Sequence, residues 1–419
     1  MSHPPESELI YDWNRAGGAV FPARGRVEID DETLRDGLQS PSVKSPSIDR
    51  KLRILHLMDA LGIDSADIGL PGAGPHVVQT VTRLAREITE CGLKVRPNCA
   101  ARTVSADIVP IVEISQKVGI PIEVSCFIGS SPIRQYAEDW DLDRMLRLSE
   151  DAVALAVKEG LPVMYVTEDT TRAHPDHIRR MYTAAIRAGA QRVCVCDTVG
   201  HATPDGVRNL IRFVVDLVAG LDPDVKVDWH GHQDRGLGIT NALWALEAGA
   251  HRVHACALGI GERVGNTPMD QLLVNLQLLG WIDRDLTRLN EYCEAVSEAT
   301  GVPIPENYPV VGRDAFRTGT GVHAAAIMKA RKKGDDWLAD RVYSGVPAAM
   351  VGRTQVIEVG PMSGLSNVQC WLENHGLEPR TELVDAIFQR AKESDRILTD
   401  EEILSVVQRF TPAVVGSGS

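Results

Sequence analysis

Short runs of apolar and β-branched residues alternate with longer stretches of helical periodicity from residue 27 onward. The short runs predict eight strands, since runs of this length and composition are typical of buried strands: 27–30, 65–70, 94–99, 120–127, 162–167, 192–197, 225–230 and 252–257. The longer stretches predict a helix after each strand: 49–61, 75–90, 106–117, 142–159, 175–188, 204–219, 239–248 and 268–279. A glycine follows most of these helices, which suits a helix C-terminus.

Eight strand–helix units in about 260 residues predict an α/β fold, a (β/α)8 TIM barrel. A doubly wound open sheet is the alternative. It is weakened because no Gly-x-Gly-x-x-Gly turn follows the first predicted strand.

The strand–helix rhythm stops near residue 285, which indicates a second region of different structure. Residues 286–300 are helical in pattern, residues 302–323 are rich in proline and glycine, and three short helices are predicted at 365–375, 383–394 and 399–410. We therefore predict an N-terminal arm (1–24), a TIM-barrel catalytic domain (25–285), a linker with lid helices (286–335), a small, mainly helical C-terminal domain (336–412) and a disordered tail (413–419).

Charge and composition exclude several classes of partner. The net charge of −13 argues against a nucleic-acid partner, which would favour a basic face. Neither a signal peptide nor an apolar segment of membrane-spanning length is apparent, so no membrane partner is expected. The eight cysteines form no C-x-x-C pair, which indicates buried thiols in a reducing compartment. The sequence predicts a cytoplasmic protein.

Polar and glycine-rich segments follow the predicted strands, at the end of a TIM barrel that carries active sites. His230 and His232 close the seventh strand two residues apart, so both point to one face and could bind one divalent cation. Asp36, after the first strand, is the candidate carboxylate ligand, because alternate strands of a barrel share a layer of side chains.

Five of these segments follow one another along the chain in this order: T-L-R-D-G-L-Q, E-D-T-T-R, D-T-V-G-H-A-T-P, H-G-H-Q-D-R-G-L and G-I-G-E-R-V-G-N. They resemble the metal-dependent TIM-barrel acyltransferases that include 2-isopropylmalate, homocitrate and citramalate synthases and are related to 3-hydroxy-3-methylglutaryl-CoA lyase. The resemblance covers residues from about 30 to 285, and the segment 313–323 is similar to the family's linker.

The resemblance implies a condensation of acetyl-CoA with a 2-oxo acid. Asp36, His230 and His232 would hold a divalent cation (Zn, Mn, Mg or Co), with Asn266 as a further ligand. Arg35 would stabilise negative charge on the keto oxygen. His323, assisted by Glu168 and Tyr343, would take a proton from the acetyl methyl group. The products would be a 2-substituted malate and CoA, and the family implies a homodimer.

The resemblance also implies residues that contact the two substrates. Thr198 would bind the carboxylate of the oxo acid, Asp67 would support Arg35, and Ser131 and Arg134 complete the expected substrate-binding set. Gln39 would face acetyl-CoA together with the loop that follows the eighth strand, whose candidate residues are Gly259, Gly261, Glu262, Arg263 and Gly265.

Two departures leave the substrate and the direction of reaction open. Leu38 stands where the synthases usually carry glutamate, so R-D-G-L-Q is closer to the lyase, and a metal-dependent lyase or aldolase is the alternative function. The loop 259–266 opposes that alternative, because it lacks the cysteine expected in the lyase. Arg134 stands where the synthases often have histidine, and we hypothesise that it recognises a second carboxylate on the substrate.

Overall fold

The computed structural model describes residues 4–17, 22 and 25–410. Contacts divide the chain into two units, Asp12–Ile304 and a second unit formed by Pro305–Ser419 with Met1–Tyr11. The domain boundaries predicted from the sequence remain predictions. The predicted tail 413–419 lies outside the described residues, as do residues 1–3, 18–21, 23 and 24 of the predicted arm.

The first unit is a closed barrel of eight parallel strands in sequence order. The strands are β1 (Glu28–Asp31), β2 (Ser65–Asp67), β3 (Arg96–Arg102), β4 (Glu123–Gly129), β5 (Val163–Glu168), β6 (Arg192–Asp197), β7 (Lys226–Gly231) and β8 (Arg252–Ala255). Pairing of β8 with β1 closes the ring. This arrangement confirms the (β/α)8 barrel and excludes the open sheet.

Helix α1 (Glu6–Leu9) precedes the barrel, whose own helices follow the strands in turn. They are α2 (Ile48–Ala60), α3 (Pro75–Cys91), α4 (Ser105–Val118), α5 (Pro132–Glu138), α6 (Leu142–Lys158), α7 (Pro175–Arg187), α8 (Pro204–Ala219), α9 (Gly238–Ala248), α10 (Met269–Leu278) and α11 (Leu289–Thr300). Helix α8 starts as its sequence suggests, because the Thr203 hydroxyl accepts a hydrogen bond from the Gly206 amide at 3.2 Å.

Strand β7 shows how alternation builds the barrel. Val227 and Trp229 point outward and are buried against helices α8 and α9, while Asp228 and His230 point into the barrel. The interior therefore receives the polar row of this strand, and the apolar row makes the layer between sheet and helices.

Charged side chains fill the lower part of the barrel interior and form what we call the charged floor, consisting of Arg192, Arg252, Asp228 and Glu123. The Arg252 guanidinium donates to Asp228 at 2.6 Å and to Glu123 at 2.5 Å. Arg192 pairs with Asp228 at 2.9 Å. Since a buried charge is tolerated only when it is paired, this network depends on strands β4, β6, β7 and β8 keeping their register.

The second unit is mainly helical, as predicted for the C-terminal domain. It contains α12 (Gly321–Lys332), α13 (Asp336–Arg341), α14 (Leu365–Asn374), α15 (Thr381–Lys392) and α16 (Asp400–Phe410), with a two-stranded sheet of β9 (Arg317–Thr318) and β10 (Val356–Ile357). Helices α14, α15 and α16 share an apolar core that includes Trp371, Ile387 and Ile403.

Of the helices in the described part of the chain, none combines the length and apolar composition needed to cross a membrane.

Candidate active site

Asp36, His230 and His232 form a triangle of donor atoms at the C-terminal end of the barrel. The Nε2 atoms of the two imidazoles lie 3.4 Å apart. The Asp36 Oδ2 atom is 3.4 Å from the Nε2 of His230 and 3.8 Å from that of His232. All three residues are buried. We call this set the donor triangle.

The donor triangle fits a divalent cation. Ligands about 2.1 Å from one cation stand roughly 3.0–3.4 Å apart in octahedral or tetrahedral geometry, close to the observed edges. One carboxylate and two imidazoles also match the ligand preferences of first-row divalent metals. The Nδ1 atom of His232 is buried and has no hydrogen-bonding partner.

The three side chains of the donor triangle shift one another's pKa values. Burial disfavours protonated His230, but hydrogen bonds to Asp36 and Glu32 outweigh it and raise its pKa to about 10. Burial and the neighbouring His230 lower the pKa of His232 to about 4. Burial would raise the pKa of Asp36, yet Arg35 and His230 hold it below its ordinary value. The site is thus built to keep positive charge beside an ionised Asp36.

Arg35 and Asp36 are adjacent in sequence and both face the site because strand β1 has already ended. The chain turns after Asp31, whose carboxylate accepts the Thr33 amide at 2.8 Å. The amide of Gly37 then donates to the carbonyl of Glu32 at 2.9 Å. The turn resolves the geometric conflict that two neighbours on a regular strand would have.

Three carboxylates hold the Arg35 guanidinium at the edge of the cavity. It makes a short contact with Glu32, a 2.8 Å hydrogen bond to Asp67 and a 3.3 Å contact with Asp36. The Arg35 side chain is 18% exposed and lines the cavity, so it can still reach a bound molecule. The contact with Asp67 is the one expected of a residue that supports Arg35.

Asn266 lies next to the donor triangle and contacts Asp36. Its Nδ2 donates to Asp36 Oδ1 at 3.2 Å and to the Ile260 carbonyl at 3.1 Å, and its buried Oδ1 has no hydrogen-bonding partner. A side chain at Gly261 would clash, since its Cβ would lie 2.3 Å from Asn266 Nδ2. The glycine at 261 therefore lets the loop after β8 pack against Asn266.

A cavity of about 290 Å³ opens beside the donor triangle and brings in several of the other predicted residues. Gln39, Glu168, Thr198 and Glu262 all line it. Burial raises the pKa of Glu168, although Arg134 and Arg35 oppose that rise. The Thr198 hydroxyl accepts the Asp169 amide at 2.8 Å.

The remaining predicted barrel residues lie around this cavity without lining it. The Ser131 hydroxyl accepts the Arg134 amide at 3.3 Å and caps helix α5. The Arg134 guanidinium pairs with Glu138 at 3.1 Å, and its side chain is 48% exposed. In the loop after β8, Arg263 is tied to Asp234 at 2.8 Å.

The two remaining predicted catalytic residues belong to the second unit. The rings of His323 and Tyr343 stack with their centroids 4.0 Å apart, and both side chains are exposed. Their catalytic role stays a prediction.

Sequence reasoning missed Glu32, which connects the donor triangle to the charged floor. Its Oε1 lies 3.6 Å from His230 Nδ1 and 3.1 Å from His254 Nδ1. His254 in turn contacts Asp228 at 3.2 Å through Nε2. Such carboxylate–histidine contacts orient metal-binding imidazoles. The available signal was the position of Glu32 directly after strand β1, next to the motif that carries Arg35.

Comparisons with known proteins agree with the geometry. The family described as HMGL-like matches residues 26–296. A probable 2-isopropylmalate synthase of Methanopyrus kandleri is 34% identical over 88% of this chain and 70% of its own length. Homocitrate synthase AksA of the same organism is 33% identical over 91% of this chain and 92% of its own length.

A solved structure, the HMG-CoA lyase of Bacillus subtilis, superposes with a TM-score of 0.56. It is 19% identical and covers 68% of this chain and 96% of its own. At that identity the superposition supports the fold of the barrel alone.

Proposed function

The chain belongs to the HMGL-like family, and from that premise we propose that it condenses acetyl-CoA with a 2-oxo acid to give a 2-substituted malate and CoA. The relatives that match most of its length are named for the synthesis of 2-isopropylmalate and homocitrate. Both compounds are 2-substituted malates. The observation that carries the proposal is the donor triangle with Arg35 beside it, at the edge of one cavity.

Asp36, His230 and His232 would hold the divalent cation, with Asn266 beside them. A cation there would supply Lewis-acid polarisation of the keto group. Arg35 reaches the cavity with its guanidinium and stabilises the negative charge that develops on the keto oxygen. Thr198 positions the carboxylate of the oxo acid by a hydrogen bond from its hydroxyl. Asp67 and Glu32 keep Arg35 in place.

Proton removal from the acetyl methyl group is assigned to Glu168, His323 and Tyr343. Glu168 lines the cavity, and burial raises the pKa of its carboxyl toward the range where a general base works best. The part of His323 and Tyr343 stays a prediction from the sequence. The resulting carbanion attacks the keto carbon, and water then cleaves the thioester to release CoA.

Acetyl-CoA would lie against Gln39 and the loop after β8. Glu262 lines the cavity, and Arg263 anchors the loop through Asp234 and the carbonyl of Thr198. Gly259, Gly261 and Gly265 all adopt positive φ, which lets the loop bend close to the site. Ser131 and Arg134, which follow strand β4, stay candidates for binding the oxo acid.

Leu38 does not line the cavity, so its difference from the synthases gives no reason to prefer cleavage. We propose further that the protein acts as a homodimer in the cytoplasm. All eight cysteines are free, which suits a reducing compartment.

Release of CoA tests the function. The purified protein is incubated with acetyl-CoA, a divalent cation and a series of 2-oxo acids, and free thiol is measured. We expect thiol release that depends on the oxo acid, and loss of both thiol release and cation binding in Asp36→Asn. Asp151→Asn, on the exposed face of helix α6, is the matched control. Cleavage of 3-hydroxy-3-methylglutaryl-CoA without any condensation would refute the proposal.

A further inference from the structure

The cavity beside the donor triangle has two chemically different halves. The turn after β1, the end of β7 and strand β8 contribute its polar half, with Glu32, Arg35, Asp36, His230, His232 and His254. Strands β3 to β6 contribute a wall that is mostly apolar. We call it the apolar wall, and it consists of Ala100, Phe127, Met164, Val166, Cys194 and Cys196.

Barrel topology sets these halves opposite each other. In a closed ring of eight strands in sequence order, β3, β4 and β5 stand across from β7, β8 and β1. A 2-oxo acid that places its keto and carboxylate groups at the polar half must extend its side chain toward the opposite strands. The apolar wall is therefore the surface that its side chain meets.

The apolar wall offers no cation to a second carboxylate. Cys194 and Cys196 lie with their sulfur atoms 3.9 Å apart, and buried thiols behave as small apolar groups. Ser125 lines the cavity on the same side, but its hydroxyl already donates to Asn98 at 3.2 Å. The charged residue that lines the cavity from strands β3 to β6 is Glu168, whose carboxylate would repel another.

Arg134 was the sequence-based candidate for binding a second carboxylate. Its guanidinium pairs with Glu138 at 3.1 Å, its side chain is half-exposed, and it does not line the cavity. A carboxylate on the substrate would have to compete with Glu138 for it. These positions argue against that role.

We infer that the 2-oxo acid carries an uncharged, apolar side chain, and that Phe127 and Met164 limit the length of that side chain. The inference rests on the proposed function and names its substrate class. Because one methylene in an apolar pocket changes kcat/KM by about 10-fold or more, the two large side chains of the apolar wall can select among chain lengths.

Substrate pairs of equal shape and different charge test the inference. 2-Oxoglutarate and 5-methyl-2-oxohexanoate differ in a terminal carboxylate against an isopropyl group. With acetyl-CoA and the holoenzyme, we expect kcat/KM for 2-oxoglutarate to be lower by roughly 100-fold or more, because a buried carboxylate would have no partner. Equal or higher kcat/KM with 2-oxoglutarate would overturn the inference.

Variants with smaller side chains at Phe127 and Met164 test whether these residues limit the length of the substrate's side chain. Phe127→Leu should shift the ratio of kcat/KM for 5-methyl-2-oxohexanoate over 2-oxobutanoate by about 10-fold toward the longer acid. Met164→Val serves the same purpose if the first variant does not fold. Phe213→Leu, on the outer helix α8, is the matched control and should leave the ratio unchanged. An unchanged ratio in the folded wall variants would exclude these residues as the length limit.

The outcomes separate this inference from the proposed function. If none of the 2-oxo acids causes thiol release, the function and the inference are refuted together. Release with a dicarboxylic oxo acid in preference to its neutral counterpart would leave the function standing and refute the inference. A loss of 2-oxoglutarate turnover confined to Arg134→Ala would then assign the second carboxylate to Arg134.

Discussion

Replacing Arg252 with methionine tests whether the charged floor supports the barrel. The Arg252 side chain is 1% exposed and donates to Asp228, to Glu123 and, at 2.9 Å, to the Ser65 hydroxyl. Methionine fills a similar space without a charge, so the substitution removes ion pairs without leaving a large void.

The size of the stability loss follows from the partners that Asp228 and Glu123 keep in the variant. Asp228 keeps Arg192 at 2.9 Å and His254 at 3.2 Å, and Glu123 is 17% exposed, so water can reach it. Removing one partner of a buried ion pair costs about 3–5 kcal/mol. Because neither carboxylate is left fully isolated, we expect a loss of about 3 kcal/mol in the free energy of unfolding at pH 7.

Urea unfolding followed by circular dichroism measures this loss. Arg208→Met is the control, since Arg208 pairs with Asp205 and Glu247 on the outside of the barrel, where an ion pair contributes below about 1 kcal/mol. Loss of Arg252 also raises the pKa of the carboxylates it neutralised. The deficit should therefore shrink as the pH falls from 7 toward 4, when those groups take up protons in the fold.

Two results would refute the electrostatic account of the floor. One is a loss below about 1 kcal/mol at pH 7, no larger than the value expected for the exposed control pair. The other is an equal loss at pH 5 and pH 7, which would indicate that packing rather than charge is responsible.

Three further predictions concern the site and its surroundings. Chelation of the cation should lower the melting temperature of the wild type but not of Asp36→Asn, because a ligand that binds only the folded state stabilises it; differential scanning fluorimetry measures this. Glu168→Gln should lower kcat by about 100-fold or more in steady-state assays while leaving the melting temperature nearly unchanged, since a general base is lost from a cavity wall. Burial raises the pKa of Asp31 from 3.8 to about 7, so this group stabilises the fold only at low pH and loses that contribution as the pH rises from about 4 to about 7. Asp31→Asn should remove up to roughly 4 kcal/mol of that pH dependence in chemical denaturation, and an unchanged pH profile would contradict the assignment.

The alternation of strand and helix patterns was sufficient to predict the barrel, because the apolar residues of each element have a distinct period and each pattern has a clear end. Strand β6 and helix α8 begin and end at the predicted residues. Strand β2 ends at Asp67 rather than at residue 70, because the Asp67 carboxylate accepts the Gly69 amide at 3.0 Å and turns the chain. Helix α5 was not predicted, since seven residues without a buried face carry no periodic signal.

The pairing of His230 with His232 could be predicted from strand parity, and the place of Asp36 beside them from the order of the strands. Glu32 and the charged floor could not, because their contacts join residues far apart in sequence across the barrel interior, as between Arg252 and Glu123. Strand stagger and side-chain reach decide which of these inward-facing residues meet. A polar residue on a buried strand row has the same sequence signal whether it binds a cation or another side chain.

The polar half of the cavity is balanced before any ligand binds. The Arg35 guanidinium offsets the Glu32 carboxylate in their short contact. His254, whose pKa rises to about 10 against the effect of burial because acidic neighbours including Asp30 and Asp228 favour its proton, is offset by Asp228 at 3.2 Å. Asp36 faces His230, whose pKa rises to about 10 because hydrogen bonds to Asp36 and Glu32 outweigh the effect of burial.

Charge in the cavity adds to the argument for a monocarboxylic substrate. A divalent cation beside Asp36 and two neutral imidazoles leaves one formal positive charge, because Asp36 supplies the single anionic ligand. One substrate carboxylate cancels that charge. A second carboxylate would lie on the side of the cavity where Glu168 already stands. Uncompensated charge is costly in such an environment, so Glu168 disfavours a second carboxylate on this side of the cavity.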